Sequence, residues 1–203
     1  MVDAAHDLGC IGPTGRGHLE MQGMLDKVDI IMGSFSKTFA SNGGFAATNH
    51  PALKLALRYG SNPLSFSNAI SPVQAAVVLK VLEIIESYEG TLLRQSMMNN
   101  SIYLRDKLTE NGFELIGDPS AIVPVMLGDM KNSRLIVSKS LELGGLVNLV
   151  EYPAVRRNNS RVRLQVMASH TTQQLDRFTN ILVEARDAVA PASVEFHNEK
   201  IVA

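Results

Sequence analysis

Short runs of β-branched and other apolar residues alternate along this chain with stretches whose apolar residues recur every three or four positions, and this alternation limits the fold more than any other feature. It selects α/β layers over an all-α or all-β architecture. Residues 28–35 and 45–48 read as strands separated by the Gly43-Gly44 turn, and residues 51–59 as a short helix with Pro51 in its first turn. Ser71-Pro72-Val73-Gln74 is a helix start, with Ser as N-cap, Pro at the first helical position and Gln placed to close a capping box. The run over 75–85 continues that helix, and because Ala75-Ala76-Val77-Val78-Leu79 is apolar all round, the helix is expected to be well buried. A further helix over 91–109 carries Leu93, Met97, Ile102, Leu104 and Leu108 and stops at Asn111-Gly112.

Beyond Gly112 the texture changes to a compact α+β pattern. Strands are expected over 113–116, 122–127, 146–152 and 161–167, with a helix over 133–143 that ends at Gly144-Gly145. The last helix opens on a second capping box, Thr171-Thr172-Gln173-Gln174, and puts Leu175, Phe178, Leu182 and Ala185 on one stripe. Three segments follow: residues 1–90, a second domain over 91–190, and a tail over 191–203 whose lack of periodicity predicts mobility.

With 203 residues, 45% hydrophobic and 19% charged, the composition is that of a soluble globular protein of one large domain or two small ones. Nineteen Lys+Arg against twenty Asp+Glu leave no basic excess for nucleic acid, and the cluster of Arg156, Arg157, Arg161 and Arg163 is too small for a duplex footprint. The single cysteine, Cys10, cannot form an intramolecular disulfide, which favours a reducing cytoplasm. The histidines lack metal-ligand spacing, and no apolar run approaches the ~18 residues of a membrane span. A soluble cytoplasmic enzyme without a metal is the expectation.

Three features near the N-terminus carry chemistry: Asp3 and His6 at a strand end, the glycine-rich stretch from Gly12 to Gly17, and Lys37 within Gly33-Ser34-Phe35-Ser36-Lys37-Thr38. A lysine after an apolar strand can be a partly desolvated amine suited to Schiff-base formation, with the flanking hydroxyls holding a phosphate. It can equally be an ordinary surface lysine in a polar turn.

Taken together and in order, Asp3-Ala4-Ala5-His6, Gly12 through Glu20 with Gly15-Arg16-Gly17, Ser34-Phe35-Ser36-Lys37 and Gly43-Gly44 resemble the α-oxoamine synthases, fold type I pyridoxal-phosphate enzymes of the aminotransferase class I/II group. Phe66-Ser67-Asn68-Ala69-Ile70-Ser71-Pro72, Tyr152-Pro153, Arg161-Val162-Arg163-Leu164 and Ala168-Ser169-His170-Thr171 extend the resemblance to about residue 185. It implies the end of an aspartate-aminotransferase-like, cofactor-binding large domain over 1–90 and a C-terminal α+β small domain after it. The implied activity is a C-acyltransferase that condenses glycine, alanine or serine with an acyl-CoA to an α-amino ketone, usually with decarboxylation.

The resemblance also assigns roles. Asp3 would keep the ring nitrogen of pyridoxal 5'-phosphate protonated, His6 would donate to its phenolic oxygen, and Lys37 would hold the cofactor and then serve as base. Ser34, where the family has Thr, would lie on the phosphate side, Ser67 or Asn68 would reach the partner subunit's phosphate in a homodimer with shared sites, and Arg163 would fork onto the substrate carboxylate. Ala4 and Asp7 depart from the family pattern without touching this chemistry. The family's upstream half, with its cofactor-phosphate loop and ring-stacking aromatic residue, has no counterpart, so the chain is expected to be the C-terminal half of an enzyme and inactive by itself. Phe66-Ser67-Asn68 leans towards the glycine acetyltransferase branch, and Ser120-Ala121-Ile122-Val123 with Val147-Asn148 towards serine palmitoyltransferase. A fold type I aminotransferase and a non-catalytic homologous subunit are the rival readings.

Overall fold

The first strand is only two residues long. In the computed structural model, which describes residues 1–189, β1 (Val2–Asp3) pairs in parallel with β2 (Ile31–Ser34), and β2 pairs antiparallel with β3 (Gly44–Ala47). Between β1 and β2 run the glycine-rich loop, a single-turn helix α1 (His18–Met21) and a 3-10 turn, Leu25–Lys27. The strand expected from residue 28 starts at Ile31, where its pairing with both neighbours begins, Val2 of β1 on one side and Ala47 of β3 on the other. Helices α2 (Pro51–Gly60), α3 (Asn62–Phe66) and α4 (Pro72–Glu86) follow, and then the long α5 (Tyr88–Glu110).

The caps form as the sequence dictates. Gln74 N–H donates to Ser71 Oγ at 3.3 Å and Ser71 N–H to Gln74 Oε1 at 3.1 Å, closing the box at the start of α4. At the other end of α5, Gly112 takes φ 78°. Its N–H donates to Thr109 O at 2.9 Å, and that of Phe113 to Leu108 O at 3.0 Å, a Schellman stop.

Burial of α4 departs from expectation. Only Val78 and Ile85 are buried on it, against Phe39, while Val73 is 75% and Leu79 62% exposed. A helix apolar on all sides buries only the face its neighbours reach, and here Phe39, Leu8 and Phe35 reach one. On α5, likewise, Met97, Leu104 and Leu108 are buried while Leu93 and Ile102 are exposed.

Contacts divide the chain into two units, Met1–Met98 and Asn99–Ala203, a division that falls inside α5, as does the expected boundary at residue 90. The second unit holds an antiparallel sheet of order β4-β6-β5, built from β4 (Ile122–Gly128), β5 (Asn148–Val150) and β6 (Ser160–Gln165). The strand expected over 113–116 reduces to one bridge, Leu115 to Val125, flanked by Met126 N–H to Glu114 O at 2.9 Å. β5 is shorter than expected because it meets only Arg161 to Arg163 of β6.

Asp129 caps α6 (Met130–Glu142) by accepting from Asn132 N–H at 3.0 Å, which starts that helix before residue 133. Thr171 and Gln174 close the second box on α7 (Thr172–Val189). Both helices cover the sheet face bearing Val123, Val125, Val162 and Leu164, and Leu182 is fully buried among them. The tail expected over 191–203 lies outside the described residues.

Candidate functional site

Parallel pairing decides which residues share an edge. Asp3, the last residue of β1, is level with Met32, so Ser34 and the turn carrying Lys37 leave β2 at the same end of the sheet. Carboxyl ends of parallel strands are where α/β sheets place ligands. The Asp3 carboxylate accepts from Ala5 N–H at 2.9 Å and stays exposed, and His6 is exposed on the turn that follows. Ser34 Oγ accepts from Ser36 N–H at 3.2 Å and lies 2.7 Å from Ser36 Oγ. Lys37 is exposed rather than desolvated in this chain.

Ser67 and Asn68 occupy the exposed link between α3 and α4, with Ser67 Oγ donating to Pro63 O. Arg163 belongs to the second unit. Alternation along β6 sends Val162 and Leu164 into the core and leaves Arg161 and Arg163 together on the other face, Arg163 between Pro124 and Asn148. Arg163 also lines a cleft of about 460 Å³ with Gln165, His170 and Gln174, over the apolar walls of Leu104 and Phe178. His170 Nδ1 accepts from Met167 N–H at 3.3 Å, which leaves Nε2 as the protonated nitrogen of the neutral ring.

The glycine-rich loop is not an open anion cradle, because a carboxylate of the chain already fills it. Glu20 accepts from Thr14 Oγ1 at 2.6 Å, from Thr14 N–H at 3.1 Å and from Arg16 N–H at 3.1 Å. A side chain on Gly12 would collide with Glu20 Oε2. Burial alone would raise the Glu20 pKa, but the Thr14 hydroxyl, the two N–H groups and the nearby Arg16 charge hold it below its ordinary value of 4.5.

Arg94, 8% exposed, closes the back of this loop by donating to Ile85 O at 2.8 Å and to Pro13 O at 3.0 Å. Sequence reasoning gave Glu20 a place in a motif but no task, and it passed over Arg94, one of several charged residues on a mixed helix and without a local signal of its own.

Among the described residues, no group of three or more His, Cys, Asp or Glu is arranged to hold a metal ion, and no helix is long and apolar enough to cross a membrane.

Similarity to known proteins points to one family. The family described as aminotransferase class I and II matches residues 1–182. A serine palmitoyltransferase of Sphingobacterium spiritivorum is 36% identical over 183 residues, 90% of this chain and 45% of that protein. A putative 8-amino-7-oxononanoate synthase of Halalkalibacterium halodurans is 40% identical over 177 residues, 87% of this chain and 44% of that protein. A solved serine palmitoyltransferase carrying pyridoxal phosphate superposes with a TM-score of 0.84 at 31% identity, covering 93% of this chain and 47% of the other.

The chain thus spans just under half the length of the relatives it matches. The superposition identifies its layers as those of fold type I. Family match, named relatives and fold agree, and the chain belongs to the aminotransferase class I and II family, on its α-oxoamine synthase branch.

Proposed function

We propose that this chain supplies the lysine, the acid and the carboxylate anchor of a pyridoxal-phosphate enzyme that condenses a small amino acid with an acyl-CoA to an α-amino ketone. The observation that carries the proposal is the shared edge of β1 and β2, where a carboxylate, a primary amine and a pair of hydroxyls leave the sheet together. That donor set fits the cofactor: an acid for a pyridinium nitrogen, an amine for an aldehyde, hydroxyls for a phosphate. Bound there, pyridoxal phosphate supplies an electron sink for the α-carbon of the amino acid.

Asp3, fixed by the Ala5 N–H, keeps a proton on the ring nitrogen, and His6 donates to the phenolic oxygen. Lys37 would hold the cofactor through its amine and would be the base that moves the proton at the α-carbon of the amino acid. Ser34 donates to the phosphate, and Ser67 or Asn68 reaches the phosphate of the partner subunit. Arg163 holds the substrate carboxylate by two parallel bonds, which orients the bond that breaks. A cytoplasmic homodimer with shared sites completes the reading; the lone thiol of Cys10 supports the reducing setting.

Borohydride reduction of the full-length protein with pyridoxal phosphate, followed by peptide mapping, tests the assignment: the label is expected on Lys37. Label on Lys27 or Lys54 overturns it. Release of CoA that requires both an amino acid and an acyl-CoA separates the synthase from an aminotransferase, which would form a keto acid without releasing CoA.

A further inference from the structure

Lys37 sits in a turn that is clamped from two sides. On one side Phe39, 4% exposed, packs with Val78 and Ile85, and Ser41 Oγ donates to Gln74 O at 3.1 Å. On the other, Oγ1 of Thr38 lies 3.0 Å from Sγ of Cys10, and Cγ2 of Thr38 fills the space where a Gly9 side chain would begin, 2.6 Å from that Cβ position. Within the turn, Ala40 N–H donates to Lys37 O at 2.9 Å and Ser41 N–H to Phe35 O at 2.8 Å.

The Cys10 wall is itself fixed. Gly9 N–H donates to Gly15 O at 2.8 Å, and the N–H groups of Cys10 and Ile11 both donate to Asp7 O at 3.0 Å. Arg94 holds Pro13 O from behind. Cys10 to Thr38 is thus the polar side-chain link between a rigid loop and the residue next to the lysine.

We propose that the Cys10–Thr38 contact positions Lys37, presenting its amine to the aldehyde of pyridoxal phosphate in one orientation. Neither the thiol nor the hydroxyl touches a reacting atom; they act through the backbone that Thr38 shares with Lys37. The inference rests on the reading that Lys37 bears the cofactor. Prior ordering of a reacting group lowers the entropy lost when it reacts, so loss of the link weakens capture without unfolding the turn, which Phe39 still anchors.

The test uses the full-length protein and pyridoxal phosphate, following the absorbance band of the lysine-bound cofactor for its rate of formation and its Kd, with melting of the cofactor-free protein as a control. Thr38→Val and Cys10→Ala are each expected to raise Kd about tenfold, the worth of one hydrogen bond, while melting with the wild type. Thr38→Ser and Cys10→Ser, which keep a polar partner, are expected to restore wild-type capture, and Cys10→Ala with Thr38→Val to be no worse than either alone.

Wild-type capture by both Thr38→Val and Cys10→Ala overturns the proposal, as do single effects that multiply to about a hundredfold in the double variant. A wild-type protein that forms no lysine-bound band overturns the functional reading as well, whereas a wild-type band untouched by either substitution overturns this inference alone.

Discussion

Replacing Glu20 by Gln isolates what a single carboxylate does for the glycine-rich loop. Three donors converge on it: the hydroxyl and N–H of Thr14 and the N–H of Arg16. At roughly 1 kcal/mol net per bond, and more where the acceptor is charged, the arrangement is worth about 3 kcal/mol to local order. Gln keeps one acceptor oxygen and turns an NH₂ towards donors, so about 2 kcal/mol of that is lost.

The assay is amide hydrogen exchange at Thr14 and Arg16 at neutral pH, where 2 kcal/mol corresponds to roughly thirtyfold less protection. Acid adds a second check. Because the folded pKa of Glu20 lies below its ordinary 4.5, the stabilisation is complete above 4.5 and is lost as pH falls through the lower folded value. The gap between wild type and E20Q must close on that descent. Equal protection of both amides at neutral pH, or a gap indifferent to acid, would refute the reasoning.

Other perturbations probe the remaining layers. Leu182→Ala, at a fully buried position on α7, is expected to lower stability by about 3 kcal/mol in urea denaturation, and a loss under ~1 kcal/mol would show that the core of the second unit collapses around the gap. Ser71→Ala removes the N-cap of α4 and should cost about 1 kcal/mol, read as faster exchange at the Gln74 amide. Arg163→Ala in the complete enzyme is expected to raise KM for the amino acid at least tenfold with little change in KM for acyl-CoA; equal effects on both contradict a carboxylate anchor.

What could be read from the sequence was local. The boxes at Ser71 and Thr171 and the stop at Gly112 depend on residues within a few positions of one another, and all three formed at the expected places. Strand ends did not follow the same logic, because a strand ends where its cross-strand pairing ends, and pairing is not local: β2 pairs only from Ile31 and β5 only over Asn148 to Val150. Burial of α4 failed for a related reason, since an apolar surface says nothing about which side meets a neighbour. The order of the motifs brought out Asp3 and Lys37. The contacts that surround them join Cys10 to Thr38 and Pro13 to Arg94, pairs 28 and 81 residues apart with no pattern to announce them.

The span between β1 and β2 bears on how the edge that carries Asp3 is held. Joining Val2 to Ile31 closes a loop of nearly thirty residues, an entropic demand of roughly 3 kcal/mol before any constant is added. Set against it are a few cross-strand bonds, such as Ala4 N–H to Met32 O at 2.8 Å, each returning about 1 kcal/mol. The gain and the cost are of similar size. The bonds inside the loop, those of Asp7, Gly15 and Glu20, shorten the span left to close, so the edge that carries Asp3 depends on the loop wound behind it.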